Sequence, residues 1–415
     1  MESISLGALV DGLDGCVHET STVESRQNVP ISGIEYDSRG VYPGCLFVCI
    51  EGEKADGHDF AAQAVASGAV ALAVEHVLPL EVPQVVFEDT RTALALLASR
   101  YYKDPSSDIR VAAVTGTNGK TTTTYLIEWI CRFALADASG GKIDDAVPST
   151  GLIGTVETRI GKNKLPSKHT TPESSDLQRL FSEMRECKVS HASMEVSSHA
   201  VELKRVAGVH FAVAAFTNLT QDHLDFHGSM EKYFDAKAAL FEPETVKARA
   251  IDIDTDYGKR LYDRVLRCGY TATTCGLSPD ATVRAENVEY GTDKTTIRLI
   301  TPEGSYALTY PLIGAFNVSN VLLAATSASL LGFEWPVIVR ALERCPQIPG
   351  RMEHVEVSTL ENDIDASALP DVFVDYSHTP DSIEKAVHAL SEVKTGRLLI
   401  VFGCGGDRDK TKRPL

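Results

Sequence analysis

The sequence predicts an α/β protein of two or three domains, and three observations support this prediction. At 415 residues, the chain is too long for one compact core, because single cores stop growing at about 250–300 residues. Hydrophobic residues make up 43% of the chain and charged residues 23%, as in an ordinary globular protein. Apolar runs typical of strands alternate with segments of helical periodicity through most of the sequence.

The net charge and the spacing of the cysteines indicate which binding partners and which cellular compartment to expect. A formal net charge of −17 disfavours nonspecific binding to nucleic acid or an anionic membrane, although a local loop can still bind a nucleotide. No run of about 18 apolar residues suggests a transmembrane helix, and the first residues do not resemble a secretory signal. The nine cysteines form no Cys-x-x-Cys pair, which favours reduced thiols and a cytoplasmic location.

The first domain is predicted over residues 1–108. Residues 45–50 form an apolar run typical of a buried strand, residues 61–67 have a helical pattern, and residues 70–74 indicate a second strand. The polar segment 103–108 contains a proline and therefore predicts the domain boundary.

The second domain is predicted over residues 109–348. A strand at residues 111–114 leads through a glycine-containing loop into a long helix at 120–133. Strands and helices then alternate to about residue 345, which predicts a largely parallel sheet. The small polar segment 136–150 predicts a mobile loop, and residues 346–350 predict a linker.

The third domain is predicted over residues 349–415. It should contain a strand at 372–374, a helix at 382–390 and a strand at 398–402. Two strands and one helix rarely bury a stable core. We therefore expect this domain to be incomplete.

A phosphate-binding loop is predicted at residues 115–122, which read Thr-Gly-Thr-Asn-Gly-Lys-Thr-Thr. Between a strand and a helix, the backbone N–H groups of such a loop face phosphate oxygens. Lys120 would reach the β- and γ-phosphates, and the Thr121 hydroxyl would bind Mg²⁺. Val114 stands where the strict G-x-x-x-x-G-K-[ST] pattern has its first glycine, so a glycine-rich turn without a ligand remains the alternative.

This variant of the loop resembles the Mur ligase and folylpolyglutamate synthetase superfamily. Further segments, in the family's order along nearly the whole chain, narrow the resemblance to the tripeptide synthetases among the Mur ligases. They are Asp-Ser-Arg at 37–39, Asp-Gly-His at 56–58, His-Thr-Thr-Pro at 169–172, Met-Glu-Val-Ser-Ser-His at 194–199, Asn-Leu-Thr-Gln-Asp-His-Leu-Asp-Phe-His-Gly at 218–228, Ala-Phe-Asn-Val-Ser-Asn at 315–320, Pro-Gly-Arg-Met at 349–352, Val-Asp-Tyr-Ser-His-Thr-Pro-Asp at 374–381 and Gly-Cys-Gly-Gly-Asp-Arg-Asp at 403–409.

The resemblance implies a three-domain Mur ligase architecture and a reaction. The domains would be an N-terminal UDP-binding domain, a central P-loop-type ATPase domain and an incomplete Rossmann-like C-terminal domain. With ATP and Mg²⁺, the enzyme would phosphorylate the free carboxylate of UDP-N-acetylmuramoyl-L-Ala-D-Glu. The amine of meso-diaminopimelate or L-lysine would attack the acyl phosphate, and phosphate would leave. The new amide bond would extend the peptidoglycan stem. We expect a monomer with no nucleic-acid or membrane partner.

The resemblance also implies site residues. Lys120, Glu195, His223 and Lys237 would be catalytic, and Thr121, Glu195, His223 and Lys237 would hold Mg²⁺. ATP would contact Gly116, Thr117, Asn118, Gly119, Lys120, Thr121, Thr122, Asn317, Asn320, Arg351 and Asp375. The UDP-sugar peptide and the amino acid would contact Ser38, Thr170, Thr171, Ser197, Arg205 and Arg408.

Lys237 is informative by its position. In residues 230–241 the apolar side chains recur every three or four residues, and Lys237 falls inside their stripe. A buried ammonium is costly unless it is paired or chemically altered. The lysine could extend its charge outward to solvent. The resemblance favours carbamylation by CO₂, which would turn the cation into an anion able to hold Mg²⁺.

Two other functional classes stay open. A folylpolyglutamate-type ligase would share the phosphate loop but would not need the segments at 37–39 and 194–198. A noncatalytic homologue that binds UDP and ATP is the other alternative, because the C-terminal domain is expected to be incomplete. The family's motif for choosing the diamino acid would lie beyond Leu415.

Overall fold

The computed structural model describes residues 3–13, 28–52, 55–146, 149–355 and 370–403. The chain divides into two compact units. One unit comprises Met1–Ile109, Thr171–Cys187 and His199–His210, and the other comprises Arg110–Thr170, Lys188–Ser198 and Phe211–Leu415.

Strands and helices alternate along the described chain. The strands are β1 (Ile4–Ser5), β2 (Pro30–Ile31), β3 (Gly33–Glu35), β4 (Cys45–Val48), β5 (Ala71–Val74), β6 (Gln84–Val86), β7 (Arg110–Thr115), β8 (Thr150–Ile153), β9 (Glu157–Ile160), β10 (Asn163–Pro166), β11 (His191–Glu195), β12 (Phe211–Phe216), β13 (Val246–Asp252), β14 (Thr273–Gly276), β15 (Val283–Tyr290), β16 (Thr295–Thr301), β17 (Gly304–Tyr310), β18 (Glu353–His354) and β19 (Phe373–Val374). The α-helices are α1 (Leu6–Val10), α2 (Ala61–Ala66), α3 (Thr90–Tyr101), α4 (Lys120–Ser139), α5 (Ile143–Ala146), α6 (Ser174–Glu186), α7 (Ser198–Glu202), α8 (Leu224–His227), α9 (Met230–Ala238), α10 (Asp256–Arg267), α11 (Ala315–Leu330), α12 (Trp335–Leu342) and α13 (Pro380–Val393).

The first unit is built around a four-stranded parallel sheet in the order β3-β4-β5-β6. Every residue of β4 is buried, because successive side chains point to opposite faces and each face is covered. Leu46 and Val48 pack into a core with residues of α1 and α3. Cys45 and Phe47 pack into a second core with residues of α2.

The second unit contains an eleven-stranded sheet in the order β10-β9-β8-β11-β7-β12-β13-β14-β15-β16-β17. Its central strands, from β8 to β15 in that order, are parallel. The two strands at each edge are antiparallel additions. Because β7 lies between β11 and β12, the carboxyl ends of these three strands meet at one edge, where α/β sheets bind ligands.

The structure confirms most of the predicted elements and corrects others. The strands predicted at 45–50, 70–74 and 111–114 correspond to β4, β5 and β7, and the helix predicted at 61–67 corresponds to α2. The parallel sheet is confirmed at its centre, but the prediction did not include the antiparallel edges. Helix α4 extends six residues beyond the predicted end at 133, and Gly140 (φ 63°) ends it.

The loop predicted at 136–150 is therefore wrong over part of its length. Ala134 and Ala136 are buried on the inner face of α4, and such packing overrides the small polar composition of the segment. Helix α5 lies in the same stretch.

Only part of the C-terminal prediction is confirmed. The strand predicted at 372–374 corresponds to β19, which pairs with β18, and the helix predicted at 382–390 lies within α13. The strand predicted at 398–402 is wrong, since residues 397–403 have no regular structure and the Val401 side chain is fully exposed. Among the described residues no neighbouring strand forms backbone hydrogen bonds with this apolar segment, and a strand needs such a partner. None of the described helices is both long and apolar enough to cross a bilayer.

A buried carboxylic acid lies at the end of β13. The Asp252 side chain is 3% exposed, and its Oδ1 accepts a hydrogen bond from the Asp254 N–H at 2.9 Å. Burial raises the pKa of Asp252 to about 7, although the hydrogen bond from the Asp254 N–H acts in the opposite direction. The folded protein therefore favours the protonated acid at pH values where the unfolded chain has already ionised it.

We predict that Asp252→Asn removes a pH-dependent loss of stability. Asp252 contributes stability that is complete below about pH 4 and is lost as the pH rises towards 7, because the raised pKa belongs to the folded state. The difference between the free energies of unfolding of the variant and of the wild type should shift by about 2 kcal/mol in favour of the variant from pH 5 to pH 8. Urea denaturation at both pH values measures this difference. The exposed Asp293→Asn should give no such trend, and a difference independent of pH for Asp252→Asn would contradict the prediction.

Candidate active site

The predicted phosphate loop lies between β7 and α4, and two of its glycines are required by close contacts. Gly116 has φ 144° and Gly119 has φ 89°, a backbone region that disfavours residues with a side chain. A Cβ atom at Gly116 would lie 1.8 Å from Thr217 Oγ1, and one at Gly119 would lie 2.2 Å from Asn320 Oδ1. Any side chain at either position would displace the loop.

The loop is braced by the segment that follows β12. The Thr117 N–H donates to the Asn218 carbonyl at 2.9 Å, and Thr217 Oγ1 donates to the Asn118 carbonyl at 2.7 Å. Thr117 Oγ1 donates to the Thr220 carbonyl at 3.2 Å. The N-terminus of the twenty-residue helix α4 is thereby held in the geometry that favours an anion.

Lys120 is the first residue of α4, and its ammonium lies over the loop. Its Nζ donates to the carbonyls of Gly116 at 3.0 Å and Thr117 at 2.9 Å. Desolvation lowers the pKa of Lys120, the charge of Arg351 lowers it further, and the carboxylates of Glu195 and Asp222 act in the opposite direction. The loop alone does not balance the positive charge of the Lys120 ammonium. The position of this ammonium therefore suits a phosphate ligand.

Glu195 is the last residue of β11, and it is 1% exposed. Thr121 Oγ1 donates to Oε1 at 3.0 Å. The Thr155 N–H donates to Oε1 at 2.8 Å, and Thr155 Oγ1 donates to Oε2 at 3.0 Å. The structure thus brings the phosphate loop and the predicted metal carboxylate into direct contact.

The donors around Thr121 fit a divalent cation such as Mg²⁺. Hydroxyl and carboxylate oxygens are the ligands that Mg²⁺ prefers, and Thr121 and Glu195 supply both. The Arg351 guanidinium lies at the same point, since its Nη2 donates to Thr121 Oγ1 at 2.9 Å. A positive group is therefore accommodated there. Among the described residues there is no group of three or more His, Cys, Asp or Glu side chains that could hold a metal by itself.

Lys237 lies on the buried face of α9, as its position in the apolar stripe predicts. It is 1% exposed, so the alternative of a side chain extended into solvent is wrong. Its Nζ donates to the Gly116 carbonyl at 2.9 Å and lies 4.7 Å from the centre of the Tyr233 ring. Burial and the charge of Lys120 hold the pKa of Lys237 well below its ordinary value, against the opposing charge of Asp222.

His223 follows Asp222 in the segment between β12 and α8. Its φ of 51° is in the left-handed region, a conformation that is strained for a non-glycine residue. His223 Nε2 lies 3.4 Å from Asp222 Oδ2, and the imidazole ring is 6.1 Å from the Tyr233 ring. His223 is thus close to the helix that carries Lys237.

The two asparagines of α11 are buried and hydrogen-bonded. Asn317 Nδ2 donates to the Ile313 carbonyl at 2.8 Å, and Asn320 Nδ2 donates to Asn317 Oδ1 at 3.0 Å. Thr123 Oγ1 donates to Asn320 Oδ1 at 3.4 Å. Asn320 therefore supports α4 and the loop from behind, while the contact of either asparagine with adenine remains a prediction.

The C-terminal segment reaches the loop through α13. Asn118 Nδ2 donates to Asp381 Oδ2 at 2.8 Å. Asp375 accepts hydrogen bonds from the N–H groups of Met352 and Ser377, both at 2.8 Å. The Asp375 carboxylate thus fixes the turn that carries Arg351.

The predicted substrate residues lie in both units. In the first unit, Ser38 is in the turn after β3, and Arg205 pairs with Glu173 at 2.7 Å and donates to the Thr171 carbonyl at 3.3 Å. In the second unit, Ser197 follows β11, and Thr170 Oγ1 lies 3.0 Å from Thr155 Oγ1. Thr122 is buried in the first turn of α4. Arg408 lies outside the described residues.

Three residues that the sequence analysis did not assign belong to this arrangement. Thr155 donates hydrogen bonds to Glu195, and Asp381 accepts one from Asn118. The charge of Asp222 acts to raise the pKa of both Lys120 and Lys237. Asp222 and Asp381 lie inside quoted segments, which was a usable signal. Thr155 had none, because its contact depends on the pairing of β8 with β11.

Three profiles of Mur ligase domains match the chain. They are the Mur ligase family catalytic domain at residues 30–102, the Mur ligase middle domain at 114–328 and the Mur ligase glutamate ligase domain at 350–415. The middle domain contains the phosphate loop, Glu195 and Lys237.

Relatives and a solved structure resemble the chain along most of its length. It is 43% identical over 399 residues to the UDP-N-acetylmuramoyl-L-alanyl-D-glutamate--2,6-diaminopimelate ligase of Geobacillus thermodenitrificans, covering 94% of this chain and 76% of that protein. Identity to the ligase of the same name from Halalkalibacterium halodurans is 42% over 416 residues, covering 99% and 80%. A solved structure of a ligase with this name superposes with a TM-score of 0.78 at 28% identity, covering 99% of this chain and 79% of that one. With the fold, the loop and the buried carboxylate in place, this chain belongs to the Mur ligase family and is an ATP-dependent ligase.

Proposed function

We propose that this chain joins a diamino acid to UDP-N-acetylmuramoyl-L-Ala-D-Glu at the expense of ATP. The observation that carries the proposal is the contact between Thr121 in the phosphate loop and the buried Glu195 carboxylate. It joins a nucleotide-binding element to an anionic group at the end of the neighbouring strand. The names of the relatives, which specify 2,6-diaminopimelate, support this diamino acid over L-lysine.

The phosphate loop would bind ATP through its backbone and through Lys120. The N–H groups from Gly119 to Thr122 would face the phosphate oxygens at the start of α4, because those of Thr117 and Asn118 donate to Asn218. Lys120 would exchange its two carbonyl contacts for the β- and γ-phosphates and so neutralise charge in transfer. Asn317, Asn320, Arg351 and Asp375 are proposed to complete the nucleotide site.

Thr121, Glu195, His223 and a modified Lys237 would hold Mg²⁺. When bound, Mg²⁺ would neutralise phosphate charge and orient the carboxylate that is phosphorylated. The residues themselves would fix the distance between the nucleotide and that carboxylate. Such positioning, together with charge neutralisation, provides most of the rate acceleration in phosphoryl transfer.

Lys237 is suited to carbamylation because its amine is buried and its pKa is low. A neutral amine can attack the carbon of CO₂. An N–C bond forms while the electrons of one C=O π bond move to oxygen, and the nitrogen loses one proton to water, which leaves a carbamate anion. The resulting oxygens would replace an ammonium that cannot bind a metal. The negative charge would also be favoured beside the ammonium of Lys120.

The remaining assignments follow the resemblance. Ser38, Thr170, Thr171, Ser197 and Arg205 would bind the UDP-sugar dipeptide, and Arg408 would bind the incoming amino acid. Residues 1–108, 109–348 and 349–415 would form the three functional domains. A cytoplasmic location and a monomeric state stay predictions.

We predict that Lys120→Ala abolishes ATP-dependent ligation while binding of the UDP-sugar dipeptide is kept. Loss of the charge-assisted contact should cost about 2–4 kcal/mol of transition-state stabilisation, about 30- to 1,000-fold in rate. Phosphate release, tripeptide formation and calorimetric binding of the dipeptide substrate measure the two effects. Lys247→Ala, at an exposed position of β13, is the control. More than about a tenth of wild-type activity in Lys120→Ala would contradict the loop assignment.

The same preparations distinguish the two alternative functions. Thermal stabilisation by the UDP-sugar dipeptide but not by a folate supports the proposal, and the reverse supports a folylpolyglutamate-type ligase. Binding of both UDP-sugar dipeptide and ATP without turnover of all three substrates indicates a noncatalytic homologue.

We predict that Lys237 carries a carbamate. Protein equilibrated with ¹³C-bicarbonate should give a carbamate resonance that is absent from Lys237→Ala and present in Lys232→Ala, an exposed lysine on the same helix. Ligation by Lys237→Ala should be nearly absent and should recover partly with short carboxylic acids that occupy the vacated space. An unlabelled Lys237 together with an active Lys237→Ala would refute the prediction.

A further inference from the structure

Thr155 lies outside the residues assigned to the reaction, yet it makes two of the three hydrogen bonds to the Glu195 carboxylate given above. Its backbone N–H reaches Oε1 at 2.8 Å, and its hydroxyl reaches Oε2 at 3.0 Å. One residue therefore engages both carboxylate oxygens and fixes the rotation of the group. Thr121 adds one hydrogen bond, to Oε1 at 3.0 Å.

The sheet places this contact. Ile153, the last residue of β8, pairs with Met194 of β11, so the turn after β8 meets the end of β11 where Glu195 lies. Gly154 permits the approach, because a Cβ atom there would lie 2.6 Å from Glu195 Oε1. The Gly154–Thr155 peptide thus packs directly on the carboxylate.

The hydroxyl hydrogens fix the direction of a longer chain of hydrogen bonds. An ionised carboxylate only accepts, and a hydroxyl has one hydrogen to donate. Since Thr155 donates its hydrogen to Glu195, the hydrogen in the 3.0 Å contact between Thr155 and Thr170 must come from Thr170. The chain therefore runs from Thr170 through Thr155 to Glu195.

The same rule applies to the hydrogen bonds of Thr121, the other hydroxyl that donates to Glu195. Thr121 donates its hydrogen to Glu195, and it accepts from Arg351 Nη2 at 2.9 Å. Two chains of donors thus end on one carboxylate, one starting at Thr170 and the other at Arg351. Hydrogen bonds in such chains polarise one another.

We propose that Thr155 is a positioning residue that orients Glu195 for the metal–nucleotide complex. Thr155 also couples the hydrogen bonding of the Glu195 carboxylate to the binding of substrate at Thr170. The coupling rests on the proposed function, in which Thr170 contacts the UDP-sugar dipeptide. Thr170 has a single hydroxyl hydrogen, so donating it to an oxygen of that substrate withdraws it from Thr155. Substrate binding at Thr170 then changes the hydrogen bonding of the carboxylate through one intermediate hydroxyl.

The first test compares ADP binding with and without Mg²⁺ by calorimetry. Thr155→Val keeps the shape and the backbone N–H but removes the hydroxyl. It should reduce the gain in ADP affinity that Mg²⁺ provides by about tenfold, the effect of losing one charge-assisted hydrogen bond. ADP affinity without Mg²⁺ should not change, and Thr155→Ser should restore the gain.

Thr158→Val is the matched control. Thr158 is a buried threonine of the adjacent strand β9, and its hydroxyl contacts Ser167 at 3.3 Å. It should leave both ADP affinities unchanged. An undiminished Mg²⁺-dependent gain in Thr155→Val would overturn the proposal, as would a loss that Thr155→Ser does not restore. A wild-type chain that binds no ADP would instead refute the proposed function.

A double-mutant cycle tests the link to Thr170. Thr170→Val should lower the Mg²⁺-dependent gain in the wild-type background and should have no further effect in Thr155→Val, because the hydroxyl that links Thr170 to Glu195 is then absent. Additive losses in the two variants would refute the coupling.

Discussion

The burial of the Glu195 carboxylate is the constraint around which the second unit's site is organised. An ionised carboxylate without donors in such a place would cost several kcal/mol. The donors come from separate elements, namely Thr121 at the start of α4 and Thr155 after β8. Satisfying this one group therefore fixes the phosphate loop and the turn after β8 at the same edge of the sheet.

Two lysines, one on α4 and one on α9, complete the charge pattern at the loop. Lys120 and Lys237 both donate to the Gly116 carbonyl, so one backbone oxygen holds two amines. Burial lowers the pKa of both, and the charge of Lys120 lowers the pKa of Lys237 further. A phosphate ligand would relieve this conflict at Lys120, and loss of the positive charge at Lys237 would relieve it from the other side.

The elements that the sequence predicted well have strong local patterns. The apolar run of β7, the loop of glycines and the helical pattern of α4 and α9 can all be recognised from neighbouring residues. The edge strands β9, β10, β16 and β17 and the extension of α4 were not predicted, because pairing and packing with distant residues decide them. The apolar segment 398–402 indicates the same limit, since its strand-like composition has no strand beside it among the described residues.

For the site, residue types and motifs along the chain were enough to identify the reactive groups and the family that they indicate. Lys120 could be named from its place in a glycine-containing loop and Lys237 from its place in an apolar stripe, whereas Glu195 could be named only through the family resemblance. Which groups meet can be seen only in the folded chain, where Thr155 holds Glu195, Arg351 reaches Thr121 and Lys237 contacts Gly116. These contacts join residues from 40 to 230 positions apart, and strand order and register, which local patterns do not encode, bring them together.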